Sequence, residues 1–258
     1  MKRFALFGHP VGHSLSPKMH TASFRAIGLD ATYEAFDVPP EKLAEELEKA
    51  VKSGYCGINL TIPHKEAALK LLDSLDESAV RYGAVNTVAI GEDGSTRGYN
   101  TDAYGFLRDL EEHGVKVAGS KILMLGAGGA GKALRLALED AGCAEIKVAN
   151  RTLREPGMIL FGSPECIEAA RWADIVVNAT PVGLKKDDPP ALPAEAFREG
   201  QVFYDCSPTS HVTATVLAAK SAGAKAFDGK GFLVYQGAKA FEIWTGSKAD
   251  VSAMFSQV

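Results

Sequence analysis

The sequence predicts an α/β protein built as two α/β domains. Three observations carry that prediction. Short apolar strands alternate with amphipathic helices along most of the chain. The strands of the second half are continuous apolar runs, as in a parallel sheet covered on both faces. One glycine-rich turn in that half joins a strand directly to a helix. A length of 258 residues accommodates two modest domains, each with its own core.

In the first half, "RFALFG" reads as a strand. "SPKMHTASFRAIGL" reads as a helix with Ser16 as N-cap and Pro17 in the first turn, ended by Gly28. "TYEAFDV" alternates as a strand does, "PEKLAEELEKAVKSG" is an amphipathic helix closed by Gly54, and "CGINLT" is a strand. "HKEAALKLL" is expected to be a helix, and "AVNTVAIGEDGSTRGYN" a hairpin turning at Asp93-Gly94. After the helix "TDAYGFLRDLEEHG" come the strands "KILMLG", "EIKVAN", "DIVVNAT", "QVFYDC" and "AKAFDG", with the helix "AGKALRLALEDAG" after the first. This places a domain boundary near residue 102. "FLVYQGAKAFEIWTG" is a long apolar-periodic helix whose domain cannot be read from its period.

Composition excludes several classes. A net charge of −4 gives no reason to expect a nucleic-acid partner. No window reaches the roughly 18–20 apolar residues of a membrane span, and the apolar run in "MKRFALFGHP" is too short for a signal peptide. Cys56, Cys143, Cys166 and Cys206 are scattered without a C-x-x-C pair, which predicts reduced thiols in a cytoplasmic protein and no metal site. Cys56 and Cys143 read as small buried hydrophobes.

"KILMLGAGGAGKALRLAL" carries the most chemistry. Gly126-x-Gly128-x-x-Gly131 follows a predicted strand and opens a predicted helix, the context a dinucleotide-binding fingerprint requires. Gly126 admits the tight turn, Gly128 lets a pyrophosphate approach the backbone, and Gly131 lets helix and strand pack closely. Ala127, Gly129 and Ala130 complete a loop that presents free N–H groups to phosphate. The same stretch nearly matches an NTPase phosphate loop, but Ala133 stands where Ser or Thr would hold Mg²⁺. The second strand of this half ends in Asn150-Arg151-Thr152 with Arg154 close by. A NAD site would place a carboxylate there for the ribose 2′-hydroxyl, whereas a guanidinium suits a 2′-phosphate. The second half therefore reads as a Rossmann-type domain for NADP(H).

The first half offers polar side chains at strand ends and helix starts: Ser14, Ser16, Asn59, Thr61, Lys65, Asn86 and Asp102. Singly, each has a local reading. Ser16 can cap a helix, Asp102 can cap the helix from Ala103, Asn86 can satisfy a turn, and Lys65 can be a solvated lysine. Together they make a set able to grip a polyhydroxylated acid.

The motifs "GHPVGHSLSPKMH", "GINLTIPHKEAA", "GAVNTV", "GYNTDAYGF", "LGAGGAGKA", "NRT", "NATPVG" and "GFLVYQGAKAFEIWTG" run in order from residue 8 to 246, and with them the chain resembles the shikimate dehydrogenases. The resemblance implies reversible reduction of 3-dehydroshikimate to shikimate by NADPH in aromatic biosynthesis. It implies that Lys65 and Asp102 form the catalytic pair and that Ser14 and Ser16 bind the substrate carboxylate. Thr61, Asn86 and Gln236 would contact the substrate, with Asn59 in the same wall, and Thr180 and Gly229 would join the cofactor side. It also implies that the last helices return to the first domain. Residues 1–102 with 236–258 would then form the substrate-binding domain and residues 103–235 the NADP domain, with the substrate in a cleft between them.

Two departures from the family stand out. Pro208 occupies the place of a substrate-contacting tyrosine, and the segment from Thr152 to Ala173 is short. Other readings are a relative acting on quinate, a non-catalytic NADP-binding regulator, and, more distantly, the NTPase. The expected assembly is a monomer or homodimer acting on small molecules, with no nucleic acid and no membrane.

Overall fold

The structure is a computed structural model and describes residues 1–209 and 211–258. The chain forms two compact units, residues 1–105 with 234–258, and residues 106–233.

The first unit contains β1 (Lys2–Gly8), α1 (Ser16–Ala26), β2 (Ala31–Asp37), α2 (Leu43–Lys52), β3 (Gly57–Leu60), β4 (Ser74–Leu75), α3 (Glu77–Tyr82), β5 (Thr87–Ile90) and β6 (Thr96–Tyr99). They build one sheet in the order β2-β1-β3-β5-β6-β4. β1 runs parallel to β2 and β3, whereas β5 is antiparallel to β3 and β6. Ala5, Phe7, Ile58, Leu60 and Val88 of the sheet meet Leu43, Leu47 and Ala50 of α2 in the core of one face.

Next come α4 (Asp102–Glu112), β7 (Lys121–Leu125), α5 (Gly129–Asp140), β8 (Glu145–Asn150), β9 (Ile159–Leu160), α6 (Pro164–Trp172), β10 (Ile175–Asn178), β11 (Val202–Asp205), α7 (Ala214–Ser221) and β12 (Lys225–Phe227). The sheet of the second unit is β12-β11-β10-β7-β8-β9, parallel throughout. Its strands read as unbroken apolar runs because both faces are covered. Leu123, Leu125 and Val176 enter one core, while Ile122, Met124, Ile175 and Val177 enter another. Counted by first appearance, the strand order is 3-2-1-4-5-6, with its reversal between β7 and β10.

The chain ends with α8 (Lys230–Thr245) and α9 (Val251–Phe255). The later part of α8 packs on the first sheet. Phe241 meets Phe24, and Trp244 lies over Phe4 with ring centroids 4.9 Å apart while its indole N–H donates to the Val88 carbonyl at 2.9 Å. Gly57 makes that approach possible, since a Cβ there would lie 2.2 Å from the indole nitrogen.

Three expectations need correction. The helix expected over 64–72 is only a 3₁₀ turn, Ala67–Lys70. The Lys65 carbonyl accepts from Val85 N at 2.8 Å and so does not close a helical bond. Ser16 is not the N-cap of α1. It is the first helical residue, and the Ser14 hydroxyl oxygen accepts its N–H at 3.2 Å. Cys56 and Cys143 are only half-buried, and Cys166 is the cysteine sealed in a core. The sequence reading also passed over β4, α3, β9, α6, α7 and α9. α6 and α7 carried legible caps in Ser163 and Thr213, whose hydroxyls accept from Cys166 N and Val216 N.

Candidate active site

Lys65 and Asp102 come from separate segments of the first unit and meet as a salt bridge, Nζ to Oδ2 at 2.6 Å. The lysine side chain is 23% exposed and the carboxylate 6%. Asp102 opens α4 without capping it. Its own N–H donates to the Asn100 side-chain oxygen at 3.0 Å, which frees the carboxylate to act elsewhere. The second oxygen, Oδ1, accepts from the Asn86 amide nitrogen at 2.8 Å. Each oxygen of Asp102 thus faces a donor, and the lysine is anchored at one end of its reach. A pair of this kind adds little to stability, so its interest is chemical: a cation fixed beside a buried anion, with an open side toward solvent.

Asn86 organises the surroundings. Its Oδ1 accepts from Thr101 N at 2.8 Å and from the Thr87 hydroxyl at 3.0 Å. Its Nδ2 also lies 3.3 Å from the Gln236 amide oxygen, which brings a residue of α8 to the same cluster. Asn59 is tied into the wall on both sides. The Tyr33 hydroxyl donates to its Oδ1 at 2.7 Å, and its Nδ2 donates to the Asn86 carbonyl at 3.0 Å and the Thr87 hydroxyl oxygen at 3.1 Å. The Ser16 hydroxyl reaches the oxygen of Tyr33, whose phenol is pushed well above its usual range by burial. Thr61 follows β3, and its N–H donates to the Phe7 carbonyl at 2.9 Å. Gly8 leaves room for it, since a Cβ there would lie 2.3 Å from the Thr61 methyl. His64, between Thr61 and Lys65 in the chain's turn, sits against the Val38 carbonyl at 2.8 Å, and burial lowers its pKa.

The second unit has its own cavity, of about 220 Å³, at the reversal of strand order. It is lined by the turn after β7 (Gly126, Ala127, Gly128), the end of β8 (Asn150, Arg151, Arg154), Phe161, and the turn after β10 with Thr180 and Pro181. The glycines have separate structural reasons. Gly126 has φ of +97° and a Cβ there would press on the Ala179 carbonyl at 3.0 Å. At Gly131 a Cβ would be 2.5 Å from the Gly126 carbonyl, so only glycine lets α5 sit so close to β7. Nothing lies within 4 Å of a Cβ at Gly128, which leaves the backbone open to a ligand. Gly129 and Ala130, both exposed, form the first turn of α5, which has no side-chain cap on its N–H groups. Asn150 braces the turn, accepting from Ala127 N at 3.3 Å and donating to the Thr152 carbonyl at 2.8 Å. Among the described residues neither Arg151 nor Arg154 has a carboxylate partner, so two guanidinium groups border the cavity uncompensated. The donor set fits a dinucleotide that carries an extra phosphate. Thr180 donates to Asn178 Oδ1 at 2.6 Å, which shapes the turn after β10. Thr152 is exposed beside the cavity rather than lining it. Gly229 precedes α8, where a Cβ would be 2.5 Å from the Cys206 carbonyl. The strand order and the missing hydroxyl at Ala133 both set this loop apart from a Mg²⁺-dependent NTPase.

Sequence reasoning missed Tyr33, Thr87, Thr101 and Asn100, whose side chains hold the cluster from behind, and Phe161, which lines the cavity. Phe161 had a signal, being the one aromatic between Thr152 and Arg171. Pro208 is exposed in the turn after β11.

Comparison with known proteins places the chain in a family. Residues 6–88 match the family described as the shikimate dehydrogenase substrate binding domain, and residues 229–256 match the shikimate 5′-dehydrogenase C-terminal domain. The shikimate dehydrogenase (NADP(+)) of Rubrobacter xylanophilus is 46% identical over 262 residues, covering 96% of this chain and 92% of that protein. The enzyme of the same name from Moorella thermoacetica is 42% identical, covering 97% and 90%. The crystal structure of shikimate 5-dehydrogenase from Thermus thermophilus in complex with NADP(H) and shikimate superposes with a TM-score of 0.90 at 43% identity, covering 100% of this chain and 98% of that one. At that identity over nearly its whole length, this chain belongs to the shikimate dehydrogenase family.

Proposed function

We propose that the chain reduces 3-dehydroshikimate reversibly to shikimate with NADPH, and that Lys65 and Asp102 are its catalytic pair. The observation that carries the assignment of the pair is the 2.6 Å contact between them, with the other carboxylate oxygen already engaged by Asn86. NADPH, when bound, supplies the hydride that reaches the ketone carbon. As that bond forms, the π pair of the carbonyl moves onto oxygen. The Lys65 ammonium would stabilise the charge growing on that oxygen and give it a proton, completing the new hydroxyl. The neutral amine left behind regains a proton from water. Asp102, with donors on both oxygens, acts as a fixed anion that orients the lysine and favours its charged form. In the reverse direction the Lys65 ammonium would first release a proton to water, and the neutral amine would take the hydroxyl proton as the hydride leaves.

Ser14 and Ser16 hold the substrate carboxylate, and Thr61, Asn86 and Gln236 contact the substrate. Asn59, whose amide is spent on its neighbours, shapes that wall. On the cofactor side the turn Gly126–Gly131 and the N-terminus of α5 would hold the pyrophosphate, and Arg151 with Arg154 the 2′-phosphate. Asn150, Thr152, Thr180 and Gly229 would border the nucleotide. The reading includes residues 1–102 with 236–258 as the substrate-binding domain and 103–235 as the NADP domain. Among the described residues no helix is long and apolar enough to cross a membrane. A cytoplasmic monomer or homodimer, with no nucleic-acid or membrane partner, completes the reading.

The test is a matrix of initial rates in the oxidative direction, following NADPH formation with shikimate, then with quinate, and with NAD⁺ in place of NADP⁺. Shikimate with NADP⁺ should give the highest kcat/KM. A higher value for quinate would move the substrate assignment, and no turnover with either acid would contradict the enzyme reading.

A further inference from the structure

A buried chain of hydrogen bonds leads to Asp102 from the side away from Lys65, and its direction is set by two backbone groups. The Asn86 carbonyl can only accept, so the group of Asn59 that faces it at 3.0 Å is the amide nitrogen. That leaves Asn59 Oδ1 to accept from Tyr33 and puts Asn59 Nδ2 on the Thr87 oxygen at 3.1 Å. Thr101 N–H can only donate, so the atom of Asn86 that faces it at 2.8 Å is Oδ1. The Thr87 hydroxyl, its oxygen taken by Asn59, gives its proton to that same Oδ1 at 3.0 Å. Asn86 Nδ2 is thereby turned to Asp102 Oδ1. The donors Tyr33, Asn59, Thr87 and Asn86 follow one another in one sense and end on the carboxylate that holds Lys65. Thr87 is fully buried and stands directly across from Asn59 in the pairing of β3 with β5.

We infer that Thr87 is a positioning residue of the reaction, its hydroxyl joining Thr101 N–H in holding the Asn86 oxygen so that an N–H, and not the carbonyl oxygen, is presented to Asp102. It touches neither Lys65 nor Asp102 and acts through Asn86. The inference rests on the pair Lys65–Asp102 being the catalytic one. A rotated Asn86 would set its oxygen against the carboxylate and its nitrogen against Thr101 N–H. The cost of a loosened amide therefore falls on the geometry of the dyad, and not only on the fold.

The experiment is a double-mutant cycle read in kinetics. Thr87→Val keeps the shape and removes the hydroxyl, Thr87→Ser keeps the hydroxyl, and Asn86→Ala removes the group through which Thr87 acts. T87V should lower kcat/KM for shikimate about three- to tenfold, the worth of one neutral hydrogen bond, with KM for NADP⁺ unchanged. T87S should restore most of that loss. In the N86A background T87V should cost little further, because the amide it positions is gone. Equal fold losses in the two backgrounds, an unchanged T87V enzyme, or failure of T87S to rescue would each overturn the inference. If T87V does not fold, Thr87→Cys, of similar size and with a weaker donor, takes its place in the same cycle with the same outcomes. Wild-type turnover of shikimate is read alongside. Its absence contradicts the reaction itself, whereas a working enzyme with additive losses contradicts only the role of Thr87.

Discussion

Among the described residues the imidazole of His20 has no hydrogen-bond partner on either nitrogen, although the ring is sealed from solvent. It stacks flat on Tyr33 with ring centroids 4.4 Å apart, and Phe24 and Trp244 flank it, so it works as a neutral aromatic slab. Burial lowers its pKa to about 3. The unfolded chain protonates this residue below its ordinary value near 6.5, while the folded chain does so only near 3. Stability from this group is therefore complete above pH 6.5 and falls as pH drops toward 3, by about 1.4 kcal/mol per unit. Urea midpoints at pH 7 and pH 5 should show the wild type losing about 2 kcal/mol more than His20→Phe. Parallel losses would mean that His20 titrates normally. Arg151 gives a second prediction at this scale. Without its guanidinium, Arg151→Ala should bind NADP⁺ more weakly by about 1.5–3 kcal/mol, the worth of a hydrogen bond to a charged group. NAD⁺ should be hardly affected, and equal losses for both cofactors would contradict the phosphate role. The NADP reading was legible in Asn150-Arg151-Thr152. The state of His20 was not, because Tyr33 and Trp244, which complete its burial, are distant in sequence.

Two elements show where local pattern holds and where it yields. α5 and its glycine turn were readable, since the glycines recur at a fixed spacing between a strand and the helix that follows it. Gly131→Ala should show that packing outweighs propensity. Alanine in a helix gains about 1 kcal/mol over glycine, yet a Cβ at 131 would meet the Gly126 carbonyl at 2.5 Å. Overpacking of that kind costs about 1–3 kcal/mol, so the variant should melt lower and have a raised KM for NADP⁺. A variant that melts higher with unchanged KM would show that α5 can shift without disturbing the turn. The segment 64–72 went the other way. Its apolar spacing predicts a helix, but Val85 N takes the Lys65 carbonyl, and only the 3₁₀ turn Ala67–Lys70 forms. That bond joins residues twenty apart in sequence, beyond what periodicity records. β4, two residues long and paired with β6, escaped for the same reason.

Over the whole molecule, the parallel sheet was the more legible half. Strands covered on both faces must be apolar throughout, and the fingerprint marks the strand from which the order reverses. The mixed sheet was legible as elements but not as an arrangement. Lys65, Asn86 and Asp102 are spread over 38 residues of sequence, and nothing in their spacing places a lysine 2.6 Å from a carboxylate. Resemblance to the family supplied that pairing, and the backing hydroxyls of Tyr33 and Thr87 became visible only with the fold. The role proposed for Lys65 lies in the transition state, on the charge that develops as the ketone is reduced. The direct measurement is steady-state kinetics of Lys65→Met, which keeps the aliphatic stem and removes the cation, in both directions of the reaction. The expected result is a kcat lower by about 10²–10³, as for loss of one electrostatic stabiliser, with KM for shikimate little changed. A near-normal kcat with a raised KM would contradict it and make Lys65 a binding residue only.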